Sequence, residues 1–231
     1  LRSVAFWTFG LFAASTASIL LVIAVALAVA YPKLPDVSDL LDYRPKLPLR
    51  IFSSDGVLIG EFGEERRKVI PLNEIPQSMR NAVLAIEDDR FYSHGGVDYI
   101  GILRAAVTNL RGHLSQGAST ITMQVARNFF LSNEKTFSRK IYEVLLAWEI
   151  EAQLTKDKIL EIYMNQIFLG QRAYGFSSAA QIYFGKELKD ISIAESAMLA
   201  GLPKAPSAYN PVSNFRRAKI RQEYILQRMR D

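Results

Sequence analysis

The chain has 231 residues, of which 49% are hydrophobic, 11% aromatic and 22% charged, and this excludes a disordered, collagen-like or low-complexity polypeptide. It holds no cysteine and two histidines, His94 and His113, which excludes a disulfide scaffold, a thiol nucleophile and a thiolate metal site, and argues against a multi-histidine one. The net charge of +5 suits phosphates but does not by itself separate nucleic acid from lipid headgroups or sugar diphosphates.

Residues 3–32 carry no charge, and Ala5 to Ala30 is nearly all apolar or small. A helix rises 1.5 Å per residue, so roughly 20 residues cross a bilayer core. The spacing predicts one uncleaved membrane anchor over 1–31. A cleaved signal peptide has a shorter apolar stretch of about 7–15 residues, although Ala28-Val29-Ala30 has a cleavage-site pattern and keeps that option open. Arg2 before the span and Lys33, Arg44, Lys46 and Arg50 after it would, on a bare positive-inside count, put the following domain in the cytoplasm. The chain starts at Leu1 rather than Met, so that count carries little weight.

Pro32, Pro35, Pro45 and Pro48 predict an extended linker over 32–48. Ile51-Phe52-Ser53 and Val57-Leu58-Ile59 flank Ser54-Asp55-Gly56, a hairpin signal. No proline occurs between 77 and 202, and this stretch should be helical. Helices are expected at about 78–89, 97–111, from Ser119 onward, 137–154 and 156–168. Another is capped by Ser192 with Glu195 and ends at Gly201. The last starts near Asn214. Its cations (Arg216, Arg217, Lys219, Arg221, Arg228, Arg230) read more readily as a solvated face than as a phosphate patch. The fold class is mainly α with a small β-hairpin element.

Four constellations carry chemistry. In Glu87-Asp88-Asp89-Arg90-Phe91-Tyr92-Ser93-His94-Gly95-Gly96, three acids close an apolar helix at the end where the helix dipole opposes them. A carboxylate there, beside an apolar wall, can have a raised pKa and act as a base; a solvated acidic corner held by Arg90 accounts for the residues equally well. In Gly117-Ala118-Ser119-Thr120-Ile121-Thr122-Met123-Gln124-Val125-Ala126-Arg127-Asn128, Ser119 or Thr120 can cap a helix. Thr120, Gln124 and Arg127 then share one face, apart from the apolar stripe Ile121, Val125 and Phe129; that face suits a sugar or phosphate, and a capped surface helix is the plain alternative. In Arg139-Lys140-Ile141-Tyr142-Glu143 the acid sits between two cations at i+4 and i+3, with Ile141, Val144, Leu145 and Trp148 facing the core. Such pairs are commonly surface salt bridges. In the block 161–170, Asn165 stands among apolar neighbours, where a buried amide more readily braces the fold than touches a substrate.

Taken in order, these blocks resemble the glycosyltransferase domain of peptidoglycan polymerases, the class A penicillin-binding proteins and monofunctional transglycosylases. The family's E-D-x-x-F-x-x-H-x-G is matched by Glu87, Asp88, Phe91, His94 and, by spacing, Gly96. Its G-[AG]-S-T-I-T-Q-Q-x-x-[KR]-N runs from Gly117 to Asn128, with Met123 replacing the first Gln. Its R-K-x-x-E is Arg139, Lys140 and Glu143. The Tyr163-x-Asn165 block and residues 194–206 match as well. Ser53-Ser54-Asp55-Gly56, residues 62–67 and the Arg-rich last helix look more like the bifunctional class.

The resemblance implies a lysozyme-like glycosyltransferase domain over 49–215, preceded by the anchor and followed by a basic helix (216–231) that would begin a linker to a missing transpeptidase domain. It implies lipid II as acceptor, the growing lipid-linked glycan as donor, and β-1,4 polymerisation with inversion and release of undecaprenyl pyrophosphate. Glu87 would be the general base and Glu143 a second catalytic acid that orients cations or binds a divalent cation (Mg2+ or Mn2+), with no organic cofactor. Asp88, Phe91, His94, Ser119, Thr120, Gln124, Arg127, Arg139 and Lys140 would bind substrate, and Asn165 would be structural. Partners would be the lipid bilayer and cell-wall synthesis proteins, not nucleic acid, with the catalytic domain on the outer or periplasmic face of the plasma membrane. Phe129, Phe130 and Leu131 could dip into the bilayer or simply pack. A lysozyme-like lytic enzyme acting on finished glycan and a non-catalytic membrane scaffold are the alternatives.

Overall fold

The computed structural model describes residues 2–40, 49–63, 66–110, 119–131 and 136–231. The first element is α1 (Arg2–Ala30), followed by 3₁₀ turns at Tyr31–Lys33 and Val37–Leu40. Among the described residues no helix is long and apolar enough to cross a membrane. Several side chains of α1 lie outside the description, so the structure establishes a helix where the anchor was expected but not a span.

The segment after α1 departs from the extended linker that its prolines suggest. Ala30 is buried, and Val37 and Leu40 enter the main core at 3% and 0% exposure. Proline fixes φ without forbidding a tight turn, and the two turns fold back so that Leu40 packs with the rest of the core. Residues 41–48, with Pro45 and Pro48, lie outside the described residues.

The hairpin forms as β1 (Leu49–Phe52) and β2 (Leu58–Phe62), antiparallel, with a register shift between Ile51 and Phe52. Gly56 takes φ +83° in the turn, and its N–H donates to the Ser53 carbonyl at 3.0 Å. A second, parallel pair joins β3 (Arg66–Arg67) to β4 (Ala173–Tyr174). Two-residue strands paired across a hundred positions leave no local pattern to read.

The helices follow as α2 (Gln77–Glu87), α3 (Tyr99–Leu110), α4 (Ile121–Phe130), α5 (Phe137–Gln153), α6 (Lys156–Gln166), α7 (Phe176–Phe184), α8 (Ile193–Ala200) and α9 (Phe215–Arg230). Their caps are local. Thr120, Thr136, Thr155 and Ser192 each accept a hydrogen bond from the backbone N–H three residues on, and Ser192 with Glu195 completes the expected capping box. Helix α4 packs against α5 and α6, while α2 packs against α8 and α9. The core they enclose includes Met79, Val83, Phe91, Val125, Leu146, Tyr163, Phe176 and Leu199. Phe129, Phe130 and Leu131 pack partly buried against it, which favours packing over bilayer contact.

Two expectations for the helices are corrected. Trp148, expected inward, is 37% exposed, whereas Glu143 is buried at 1%. Helix α9 keeps Arg216, Arg217, Lys219 and Arg230 exposed, as a solvated face would, while Ala218, Gln222 and Ile225 form a thin buried stripe that packs it onto the domain. Gln222 Nε2 also donates to the Ala194 carbonyl at 2.6 Å.

Candidate active-site cleft

The C-terminal end of α2 and the N-terminal end of α4 meet at two adjacent carboxylates. Asp88 is buried. It accepts from the Ile121 N–H at 3.0 Å, and His94 Nε2 lies 3.0 and 3.2 Å from its two oxygens. A helix N-terminus favours an anion, so the acid that opposes the dipole of α2 is stabilised by the dipole of α4. Asp88 and His94 thereby fasten one helix end to the other. Gly96 takes φ +86°, and a Cβ there would lie 2.8 Å from the Ala147 carbonyl oxygen, whereas a Cβ on Gly95 would meet nothing. Thr120 Oγ1 donates to the Gly96 carbonyl at 2.6 Å. The glycine selected by spacing is thus the one that lets this loop approach α5.

Glu87 faces the other way, into a cleft of about 290 Å³ whose walls include Asp88, Ser119, Thr120, Gln124, Arg127, Lys204 and Arg221. It is half-buried. Gln124 Nε2 donates to Glu87 Oε2 at 2.8 Å. Tyr163 Oη donates to Gln124 Oε1 at a long 3.4 Å, which orients the amide with its NH2 toward the acid. Burial raises the Glu87 carboxyl above its ordinary value of 4.5, opposed by the Gln124 hydrogen bond and then by the positive charges of Arg221, Arg127 and Lys204. Burial, aided by the negative charge of Glu87, holds the Tyr163 phenol well above its ordinary 10.0, so it stays a donor. A desolvated carboxylate of raised pKa with cations nearby can take a proton from a hydroxyl while the cations receive an anionic leaving group.

Asp89, the third acid, is not held by Arg90, which instead lies 3.7 Å from Asp98. It accepts from Arg104 Nη1 at 3.0 Å and from Arg228 Nη2 at 3.3 Å, and all three line the cleft mouth.

The remaining motif residues stand behind these walls. Glu143 lies 2.9 Å from Lys140 Nζ and 3.3 Å from Arg139 Nε. This is a buried hub rather than the surface pair its spacing suggests. Lys140 also donates to Ser119 Oγ at 2.9 Å, which links the hub to the cleft. Phe91 is buried beneath Lys156, whose Nζ is 4.3 Å from the ring centroid. Asn165 Nδ2 donates to the Ile70 and Glu161 carbonyls, and its Oδ1 accepts from the Ile70 N–H; the amide stitches α6 to the segment before α2. Gly117 and Ala118 lie outside the described residues.

A divalent ion at Glu143 does not fit these residues. Its carboxylate is already engaged by two cations in a buried setting, and among the described residues no group of three His, Asp or Glu side chains could hold a metal. The donor set suits Glu143 as an organiser of cations.

Sequence reasoning missed Lys204, Arg221, Arg104 and Arg228 as cleft residues. Arg221 lies on α9 between the buried positions Ala218 and Gln222, a stripe too thin to announce itself in a helix this polar.

Cleft and helical frame together define a mainly helical domain whose cleft sets a carboxylate, Glu87, among several cations. The family model described as Transglycosylase matches residues 55–230, and the chain belongs to that family. It is 61% identical over 208 residues to "Penicillin-binding protein 1A" of Neisseria gonorrhoeae, covering 90% of this chain and 26% of that protein. It is 56% identical over 199 residues to the protein of that name from Pseudomonas aeruginosa, covering 86% and 24%. The chain thus spans about a quarter of the length of the curated relatives it matches. A crystal structure of Penicillin-Binding Protein 1A from Haemophilus influenzae aligns at 30% identity and a TM-score of 0.43, covering 80% of this chain and 18% of that one. The match through residue 230 includes α9, which sequence reasoning had set outside the domain.

Proposed function

We propose that this domain is a peptidoglycan glycosyltransferase that polymerises lipid II into β-1,4 glycan with inversion. The acceptor sugar hydroxyl attacks the anomeric carbon of the lipid-linked donor. Its proton passes to the Glu87 carboxylate as the C–O bond forms. The bond from the anomeric carbon to the diphosphate breaks, and the released undecaprenyl pyrophosphate carries the electron pair. Arg127 meets that charge directly, and Lys140 and Arg139 support the α5 side through Ser119 and Glu143. Gln124 orients Glu87, while Asp88, His94 and Thr120 fix the two helix ends on which Glu87 and Gln124 stand. Phe91 and Asn165 act by packing and bracing.

The observation that carries this reading is the Glu87 carboxylate, desolvated and fixed by Gln124 in a cleft it shares with cations. The family and the relatives named Penicillin-binding protein 1A support it. The same reading makes α1 a membrane anchor that keeps the cleft at the outer face of the plasma membrane, within reach of lipid-linked substrates and of cell-wall synthesis proteins. Incubating the full-length enzyme with lipid II in detergent should yield glycan polymer. Failure to polymerise it, with cleavage of finished glycan instead, would establish the lytic alternative.

A further inference from the structure

Four carboxylates line the cleft: Glu87, Asp88, Asp89 and Asp98. Three of them are hydrogen-bonded by the protein, Glu87 by Gln124, Asp88 by the Ile121 N–H, and Asp89 by Arg104 and Arg228. Asp98 is 8% exposed, and its carboxylate accepts no hydrogen bond from any described residue. Arg90 Nη1, 3.7 Å from Oδ1, balances the charge from beyond hydrogen-bond range. Asp98 stands just before α3, and its carbonyl accepts the Ile102 N–H at 2.9 Å. At that cap position an Asp side chain ordinarily takes an N–H of the first turn; here it takes none. Oδ2 lies instead across Gly101, where a Cβ would come 2.8 Å from Asp98 Cγ and closer still to Oδ2. Gly101 also lines the cleft, so the missing side chain is the space into which the carboxylate turns. Leaving a buried acceptor unfilled is costly, and such a group calls for an external partner or a function.

We propose that Asp98 is a substrate-binding residue whose carboxylate, on the α3 wall, accepts a hydrogen bond from a hydroxyl or amide N–H of a sugar unit of the substrate. Charge decides the class of partner. A carboxylate repels a diphosphate, so Asp98 marks a part of the cleft that meets the uncharged portion of the substrate. Arg90 already balances the acid, so what it lacks is a donor rather than a second cation. An ionised acceptor makes a hydrogen bond to a neutral O–H or N–H roughly twice as strong as a neutral acceptor does. That the donor belongs to a sugar of lipid II rests on the glycosyl-transfer reading; that Asp98 binds a donor does not.

The test is steady-state polymerisation of lipid II by the full-length enzyme in detergent. Lipid II binding is measured by calorimetry in a Glu87→Gln background, and each variant is melted alongside. Asp98→Ala should raise KM and Kd about ten-fold, the usual effect of losing a charge-assisted hydrogen bond, with a far smaller change in kcat. Asp98→Asn keeps an acceptor oxygen without the charge and should raise both about three-fold. Gly101→Ala keeps the carboxylate but displaces it. Alanine favours a helix, so this variant should melt no lower than wild type and still raise KM about ten-fold. Unchanged KM and Kd in a well-folded Asp98→Ala overturn the proposal. If Asp98→Ala melts early, Gly101→Ala becomes the deciding variant, and unchanged constants there overturn it. The loss should persist on lipid II whose peptide amine is acetylated; a loss that vanishes there assigns Asp98 to that ammonium and overturns the sugar assignment. Binding of lipid II that depends on Asp98, in an enzyme that fails to polymerise it, would leave the binding residue standing and overturn the glycosyl-transfer reading.

Discussion

On the α5 side of the cleft, Arg139 and Lys140 share one buried carboxylate, Glu143. On the α4 and α9 side, Arg127, Lys204 and Arg221 share the cleft with Glu87 and have no carboxylate partner among the described residues. Both walls are basic, and they differ in what their charge is free to do. A cation already paired in a buried hub orders the wall and passes its influence on through a hydroxyl, here Ser119. An unpaired cation is ready to receive an anion. Residue type and spacing place Arg127, Arg139 and Lys140 in one family pattern, and only burial and partners separate an organiser from a receiver.

The comparison can be broken from either side. Glu143→Ala should have the largest effect on folding. It leaves two cations without their buried counter-charge and should cost about 2 kcal/mol of stability, read as a fall in denaturant midpoint at constant m-value. A midpoint within error of wild type would show that the hub is not structural. Arg127→Ala should leave folding intact and lower lipid II turnover about ten-fold; normal turnover would remove α4 from the receiving wall.

Gln124→Ala sharpens the comparison through pH. The base works when ionised, so turnover falls as pH drops through the Glu87 pKa. That pKa is raised by burial and lowered by Gln124. Removing the amide should therefore move the acidic limb of the pH–rate profile further upward, and a limb that stays in place would detach Gln124 from the base. Tyr163→Phe should give the smallest change, a loss of about two- to three-fold, because its hydrogen bond to Gln124 is long at 3.4 Å.

Much of the fold was legible because its signals are local. The Ser54-Asp55-Gly56 turn, the cap at Ser192 and the apolar spacing of α4 each act within a few residues, and the helices fall close to where those signals put them. The parts that were not legible depend on distant partners. The parallel pairing of Arg66–Arg67 with Ala173–Tyr174 is one, and the burial of Val37 and Leu40 against the main core is another. In the site, the motif blocks placed Glu87, Gln124 and Arg127 on one cleft. The partners of the adjacent acids came only from the structure: Asp88 is engaged by His94 and the Ile121 N–H, whereas Glu87, in the cleft that both line, meets Gln124. Nor did the motif blocks reveal Arg221, which two tyrosine rings and a glycine brought together by tertiary packing set on the cleft wall.

The most direct measurement is the rate of lipid II polymerisation by Glu87→Gln beside wild type, with thermal melting of both at neutral pH. Because burial raises the folded-state pKa of Glu87, its contribution to stability is present below the unfolded pKa and is lost as pH rises through the folded one. The neutral amide should therefore melt no lower than wild type at neutral pH. The account predicts a well-folded variant with polymerisation all but abolished. A variant that melts like wild type and polymerises lipid II at the wild-type rate would contradict it.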